Sequence, residues 1–112
     1  MNKFGLCVFV AAISALVGAC SMTLGVRGTM EDGDETFTGT ATGYLDHSGT
    51  LQVTSSKGTV CMGEFVYITS RQGQGTFNCS DHRSGPFEFV STGTHGTGNG
   101  RLGGQRFTFT FG

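Results

Sequence analysis

The sequence has little charge, and its basic residues are not clustered. Charged residues make up 13% of the 112 residues, and seven Lys and Arg face eight Asp and Glu. Proteins that bind nucleic acids concentrate Lys and Arg on one surface to neutralise phosphates. Here the basic residues are scattered along the chain. We therefore expect no nucleic-acid partner.

The sequence also lacks an apolar run long enough to cross a membrane. Its main apolar segment extends from Phe4 to Val17, whereas a transmembrane helix needs roughly 20 such residues. A short apolar segment behind a positive start, here the α-amine and Lys3, is typical of a secretory signal peptide. We predict that residues 1–19 are removed; the alternative is an uncleaved membrane anchor.

Recognised catalytic motifs are missing as well. There is no Gly-x-Ser-x-Gly, no His-Glu-x-x-His and no phosphate-binding loop. Asp46-His47 and Asp81-His82 would form a zinc site only if their turns met, and the alternative is two solvated turns. The acidic run 31–35 lacks the periodicity of a calcium loop and predicts a solvated turn. We therefore predict no enzyme activity, no cofactor and no metal.

The predicted leader ends in Leu16-Val17-Gly18-Ala19-Cys20. This stretch resembles the lipobox of bacterial lipoproteins. The resemblance implies cleavage before Cys20, a diacylglyceryl group on its thiol and further acylation, such as palmitate; several acyl chains anchor a protein durably. Ser21 stands where lipoproteins of the inner membrane often carry Asp, which implies an outer-membrane location facing the periplasm. Ordinary signal cleavage remains the alternative.

The four cysteines fit this compartment. Cys7 leaves with the signal peptide and Cys20 receives the lipid, so Cys61 and Cys79 remain. In an oxidising periplasm these two are expected to form a disulfide.

After the leader, apolar and polar residues alternate with a period of two, as in β-strands. Thr36, Thr38, Thr40 and Thr42 alternate with small or aromatic residues, and the phenylalanines between Phe107 and Phe111 alternate with threonine. Such segments recur about every eight to twelve residues, with Gly-rich turns. This predicts an all-β fold, a small antiparallel barrel or sandwich of about eight short strands with one disulfide.

The predicted organisation follows from these patterns. Residues 1–19 are the signal peptide, residues 20–34 the lipid-anchored segment with the first strand, and residues 35–112 a Gly-, Thr- and Phe-rich β domain. Most phenylalanines are expected in the core. The Gly-rich run 93–104 precedes the last strand, and Phe107–Phe111 is an association hazard if it lies at an open sheet edge.

Two weaker resemblances concern the β domain. Gly63-Glu64-Phe65 and Gly98-Asn99-Gly100 belong to a region, Cys61 to Leu102, that resembles MORN repeats, which are hairpins with spaced aromatic and Gly residues. The alternative is ordinary hairpin patterning in a Gly-rich chain.

The second resemblance gives the candidate binding loop, Arg83, Ser84 and Gly85. Ser84-Gly85 and the predicted architecture are similar to membrane-bound lysozyme inhibitors, which present a Ser-Gly loop to the enzyme. Pro86 and Phe87 depart from that family's motif. Together these observations predict a non-enzymatic, lipid-anchored envelope protein with a protein-binding or structural role, and inhibition of a lysozyme-type enzyme is the alternative. The expected partners are the membrane, through the lipid, and an envelope protein.

Overall fold

A computed structural model describes residues 21–112, so the predicted signal peptide and Cys20 lie outside the described residues. Every regular element in the described part is a β-strand, and no helix there could cross a membrane. The strands are β1 Ser21–Met30, β2 Thr36–Tyr44, β3 Ser48–Ser55, β4 Val60–Tyr67, β5 Gln72–Cys79, β6 Ser84–Thr92, β7 His95–Leu102 and β8 Gln105–Phe111.

The eight strands form a closed barrel. Each strand pairs antiparallel with its neighbour in sequence, and β8 closes the barrel by pairing with β1. The prediction of an all-β antiparallel fold of about eight strands is confirmed, and the barrel is the correct one of the two architectures. The condition for an association hazard at Phe107–Phe111, an open sheet edge, is not met, because β8 is hydrogen-bonded on both sides, to β7 and β1.

The period-two pattern places its apolar residues inside the barrel. In β2 the buried Phe37 lies between exposed threonines, and in β8 Phe107 and Phe109 are buried between exposed residues. The predicted role of the phenylalanines as core residues is confirmed. The buried apolar set is Val26, Met30, Phe37, Leu51, Val53, Cys61, Phe65, Phe77, Cys79, Phe87, Phe89, Leu102, Phe107 and Phe109.

Inward-facing glycines lie opposite inward-facing phenylalanines on neighbouring strands. Gly98 pairs with Phe109 on one side and with Phe89 on the other, and Gly73 also pairs with Phe89. A Cβ atom added to Gly98 would lie 2.3 Å from Cζ of Phe109. The interior of an eight-stranded barrel is just wide enough for its side chains. The rings therefore occupy the space that glycine leaves.

The Gly–Phe pairing explains why apolar alternation in the sequence does not predict β7. β7 contains Gly96, Gly98 and Gly100 and lies entirely in the Gly-rich run 93–104. Its inward side has few side chains of its own, because rings from β6 and β8 cover these glycines. A strand of this kind has no apolar alternation for sequence analysis to detect.

Cys61 and Cys79 form the predicted disulfide. They are direct cross-strand partners on β4 and β5, and the bond closes a sequence separation of 18. Cys61 is completely buried. The disulfide therefore joins two strands at the end of the barrel where the β3–β4 and β5–β6 turns lie.

Candidate functional site

The two ends of the barrel are distinguished by their turns. The open end, where β1 begins, has the turns 45–47, 68–71 and 93–94. The closed end has the turns 31–35, 56–59, 80–83 and 103–104. The disulfide lies next to the closed end. Antiparallel strands with short turns place these two sets of loops at opposite ends.

A cavity of about 230 Å³ enters the barrel from the open end. Its walls are mostly apolar, and it reaches the aromatic core of the barrel. Ser21, the first residue that the structure describes, lies on its wall. Its lining is Ser21, Met22, Leu24, Ala41, Gly43, Tyr44, Leu45, Leu51, Phe65, Tyr67, Phe89, Gly93, Phe109 and Phe111.

Aromatic side chains form the floor of this cavity. The Phe65 and Phe89 rings meet edge to face at 5.1 Å between centroids, and Tyr67 and Phe89 at 5.3 Å. Phe111 meets Phe89 in the same way at 5.6 Å. Edge-to-face pairs are a preferred arrangement of aromatic rings. The floor is therefore held in place by the core and does not depend on a ligand.

One polar group on the wall belongs to a buried hydrogen-bond chain. The Tyr67 hydroxyl donates to Oγ of Ser91 at 3.2 Å, and Ser91 donates to the Arg71 carbonyl at 3.4 Å. Ser91 is 5% exposed. Since the Tyr67 oxygen keeps its acceptor capacity, it can receive one hydrogen bond from a ligand.

Space in the cavity depends on small residues of β2. An added Cβ atom at Gly43 would have no heavy atom within 4 Å, unlike one at Gly98. Ala41, on the same side of β2, is only partly buried. The open end is thus the place where the interior is not filled by phenylalanine rings. An apolar cavity of about 150 Å³ accommodates benzene, so this one is large enough for a single ring or a short alkyl chain.

The closed end is sealed by an ion pair between a buried carboxylate and a partly exposed guanidinium. Glu35 is 3% exposed, and its two carboxylate oxygens accept hydrogen bonds from the Arg83 guanidinium at 2.8 and 2.9 Å. Nε of Arg83 also donates to Asp81 at 2.8 Å. The hydrogen bonds from Arg83 lower the pKa of Glu35, against the opposing effect of burial, and Ser55 lowers it further. The hydrogen bond to Glu35 raises the pKa of Arg83.

The predicted binding loop lies at this closed end. Arg83 is the last residue of the β5–β6 turn, but Ser84 and Gly85 are already in β6 and Pro86 follows inside the strand. A Cβ atom on Gly85 would lie 1.9 Å from the Arg101 carbonyl oxygen, so its backbone packs against β7. Two of the three residues of the predicted binding loop therefore lie in a strand and not in the turn. A binding role for these residues stays a prediction.

The two Asp-His pairs are not brought together. Asp46-His47 forms the β2–β3 turn at the open end, and Asp81-His82 lies in the β5–β6 turn at the closed end. In each turn the Asp side chain accepts a hydrogen bond from a backbone N–H two residues later. Within residues 21–112, no group of three or more His, Cys, Asp or Glu side chains could hold a metal ion.

A second depression lies on the outer wall of the barrel. It is shallow and open to solvent, and outward side chains such as Glu64, Gln74, Glu88 and Asn99 line much of it. Since it has little enclosure, it is a weaker candidate for holding a small molecule than the open-end cavity. The open-end cavity is the site that sequence analysis missed, because it is defined by closure of the barrel.

No protein-family model matches this sequence, and neither does any curated protein. Among solved structures, a redesigned β barrel, mFAP1, bound to DFHBI is similar over 80% of this chain and 90% of that chain, with 20% identity and a TM-score of 0.64. EF1p2_mFAP2b bound to DFHBI covers 80% of this chain and 89% of its own, with 17% identity and a TM-score of 0.63. A further fluorescence-activating β barrel, designed de novo, covers 80% and 88%, with 15% identity and a TM-score of 0.62. At these identities the likeness establishes the barrel fold alone.

Proposed function

We propose that this protein is a non-enzymatic binding protein of the bacterial envelope, anchored by lipid on Cys20, that holds a small apolar ligand in the open end of its barrel. The observation that carries the proposal is the preformed apolar cavity at that end. Eight-stranded barrels are wide enough to hold one small ligand. The location at the outer membrane, facing the periplasm, rests on the lipobox-like sequence before Ser21.

The chemistry of the cavity walls supports binding and offers little for catalysis. Ser21, Tyr44 and Tyr67 supply the side-chain polar atoms of the lining, and the rest is aliphatic, aromatic or Gly. General acid–base catalysis needs a group whose pKa lies near the working pH. The described lining contains no Asp, Glu, His, Lys, Arg or Cys side chain, and its hydroxyl groups can orient a ligand by hydrogen bonding.

The structural neighbours give a precedent for ligand binding in such a barrel. Two of the similar solved structures are described as bound to DFHBI. This chain shares their fold and has its own cavity at one end of the barrel. An envelope protein as a further partner stays part of the proposal, and the outer-wall depression is the surface available for it.

A ligand titration tests the cavity. Segment 21–112 contains all eight strands and both disulfide cysteines; it would be exported without the lipid site, and circular dichroism would confirm folding. We expect saturable binding of the uncharged single-ring dye 4-nitroaniline at one site, followed by the shift of its absorbance in an apolar environment. Gly43→Leu should weaken binding at least tenfold, because its side chain fills the cavity.

Gly25→Leu is the matched control for this substitution. Gly25 also has open space around an added Cβ, but it is exposed on β1 and does not line the cavity. Its dye affinity should stay within twofold of the natural protein. Absence of saturable binding to the folded segment, or equal loss in both variants, contradicts the cavity proposal.

The anchor has a separate test. Mass spectrometry of the protein from its native host should find a chain that begins at Cys20 and carries acyl groups. A chain that still begins at Met1 would contradict the envelope part of the proposal without affecting the cavity.

Inhibition of a lysozyme-type enzyme stays an alternative prediction. The Arg83 guanidinium is engaged by Glu35 and Asp81, and Ser84 and Gly85 are strand residues. Unchanged lysozyme turnover with excess processed protein would remove this alternative.

A further inference from the structure

The open end exposes three large apolar side chains, and two of them, Tyr44 and Leu45, also line the cavity. Leu45 is 65% exposed, Ile68 60% and Tyr44 46%. Leu45 and Ile68 lie in the β2–β3 and β4–β5 turns, and Tyr44 ends β2. We call these three side chains the apolar rim. The two turns are neighbours, because the Tyr67 N–H at the end of β4 donates to the His47 carbonyl in the β2–β3 turn at 2.9 Å. A patch of exposed apolar residues marks a surface that contacts an apolar partner.

Charged residues are distributed in the opposite way. The open-end turns carry one acidic and one basic side chain, Asp46 and Arg71. The closed-end turns carry Glu31, Asp32, Asp34, Glu35, Lys57, Asp81 and Arg83. A charged end is costly to place in an apolar medium, and its acidic turn is repelled by anionic lipid. The charge distribution therefore favours contact of lipid with the open end.

The chain enters the barrel at the same rim. Ser21 is the backbone partner of Tyr44 and lines the cavity. Cys20 is covalently bound to Ser21, so a lipid on Cys20 would be attached at the rim and not at the far end of the barrel. The proposed anchor and the exposed apolar side chains thus share one end.

We infer that the open end of the barrel docks on the surface of a lipid bilayer, with the apolar rim in the interfacial layer and the cavity mouth facing the acyl chains. This inference rests on the proposed lipid anchor. Tyrosine and aliphatic side chains are favoured at the membrane interface, where aromatic residues with a polar tip are enriched. The cavity then opens toward acyl chains, which makes them the class of ligand most available to it.

Single-tryptophan variants test this orientation, because the sequence contains no tryptophan of its own. Leu45→Trp and Ile68→Trp place a reporter on the rim. Gln105→Trp places one on the closed end, where Gln105 begins β8 and is exposed. Each natively processed protein would be incorporated into phosphatidylethanolamine–phosphatidylglycerol vesicles with or without brominated acyl chains.

We expect brominated lipid to reduce the fluorescence of both rim reporters at least twofold, with a blue-shifted emission. The closed-end reporter should change by less than a fifth. Equal quenching at both ends, no quenching at the rim, or failure of the processed protein to sediment with vesicles would each overturn the inference.

Two further variants separate docking from the other proposals. Ile68→Ser in the Leu45→Trp protein should reduce quenching while the lipid still holds the protein on the vesicle, since only the rim is altered. Gly43→Leu should leave quenching unchanged, because it fills the cavity and not the rim. If rim quenching fails while the dye titration of segment 21–112 succeeds, the docking inference falls and the cavity proposal stands.

Discussion

The two ends of the barrel differ in what fills them. At the closed end Met30 and Leu102 are each 2% exposed, the buried Glu35 pairs with Arg83, and the disulfide joins β4 to β5. At the open end Met22, Leu24 and Phe111 are only partly buried and surround a cavity. The comparison indicates that stability is concentrated at one end and binding capacity at the other. Binding regions are commonly drawn from the less stable parts of a protein.

The Gly–Phe pairing accounts for the contrast within the interior. Where a glycine faces a phenylalanine, as Gly98 faces Phe109, the ring fills the space. At Gly43 the cross-strand partner is Gly49 on one side and Met22 on the other. No ring covers Gly43, so the interior stays open there.

Removal of the disulfide should have the largest effect on the closed end. We expect Cys61→Ala with Cys79→Ala to lower the free energy of unfolding by about 3 kcal/mol, because the unfolded chain regains the freedom of the closed loop. Urea unfolding measures the loss. Dye affinity of the folded variant should stay within twofold, since the cavity lies at the other end; a tenfold loss would contradict the separation of the two ends.

A methyl group added at Gly98 should have the next largest effect. Gly98→Ala would place Cβ 2.3 Å from the Phe109 ring and 2.6 Å from the Glu88 carbonyl oxygen. Overpacking of this kind costs about 2 kcal/mol. Gly43→Ala is the matched control, with no loss or a gain of about 0.5 kcal/mol expected because the unfolded chain is restricted. Urea unfolding compares them, and equal losses would show that the open end is packed as tightly as the middle.

Loss of the Glu35 carboxylate should have a smaller effect. Glu35→Gln keeps the shape but removes the charge that faces Arg83. Because Arg83 stays in contact with solvent, we expect a loss of about 1–2 kcal/mol at neutral pH, measured by urea unfolding. Asp34→Asn is the control: Asp34 and its partner Lys57 are both exposed, and solvent screens such a pair, so its urea midpoint should stay close to that of the natural protein.

Glu35→Gln should also change how the stability of the protein depends on pH. Since the folded pKa of Glu35 lies below its ordinary value of 4.5, its contribution is present above that value and is lost as pH falls through the folded pKa. Stability of the natural protein should fall over this acidic window, and Glu35→Gln should flatten the fall. Thermal unfolding between pH 7 and about pH 3 measures it; an unchanged slope would show that Glu35 does not seal the closed end.

Much of the fold was predictable because alternation is a local property. The buried Phe107 and Phe109 and the shared face of Cys61 and Phe65 follow from strand parity. β7 was not predictable in this way, because its inward side is mostly glycine and its packing comes from other strands.

The candidate site was less predictable than the fold. Sequence analysis selects Arg83 for its neighbours in the chain, but its role in the structure is set by Glu35, which is 48 residues away. The cavity residues Leu24, Ala41 and Phe111 come from three strands that no local motif connects. Their proximity depends on pairing of the first strand with the last.

The sequence by itself determined the alternation that turns Phe37 of β2 and Phe107 and Phe109 of β8 inward, because alternation is a local property of each strand. Closure of the barrel, the separation of a sealed end from an open one and the cavity were decided only by the tertiary structure. The physical reason is that these features depend on the register between β1 and β8, which joins the two ends of the described chain. Register is a relation between strands. The cavity that the phenylalanine rings leave unfilled exists only once this register has closed the barrel.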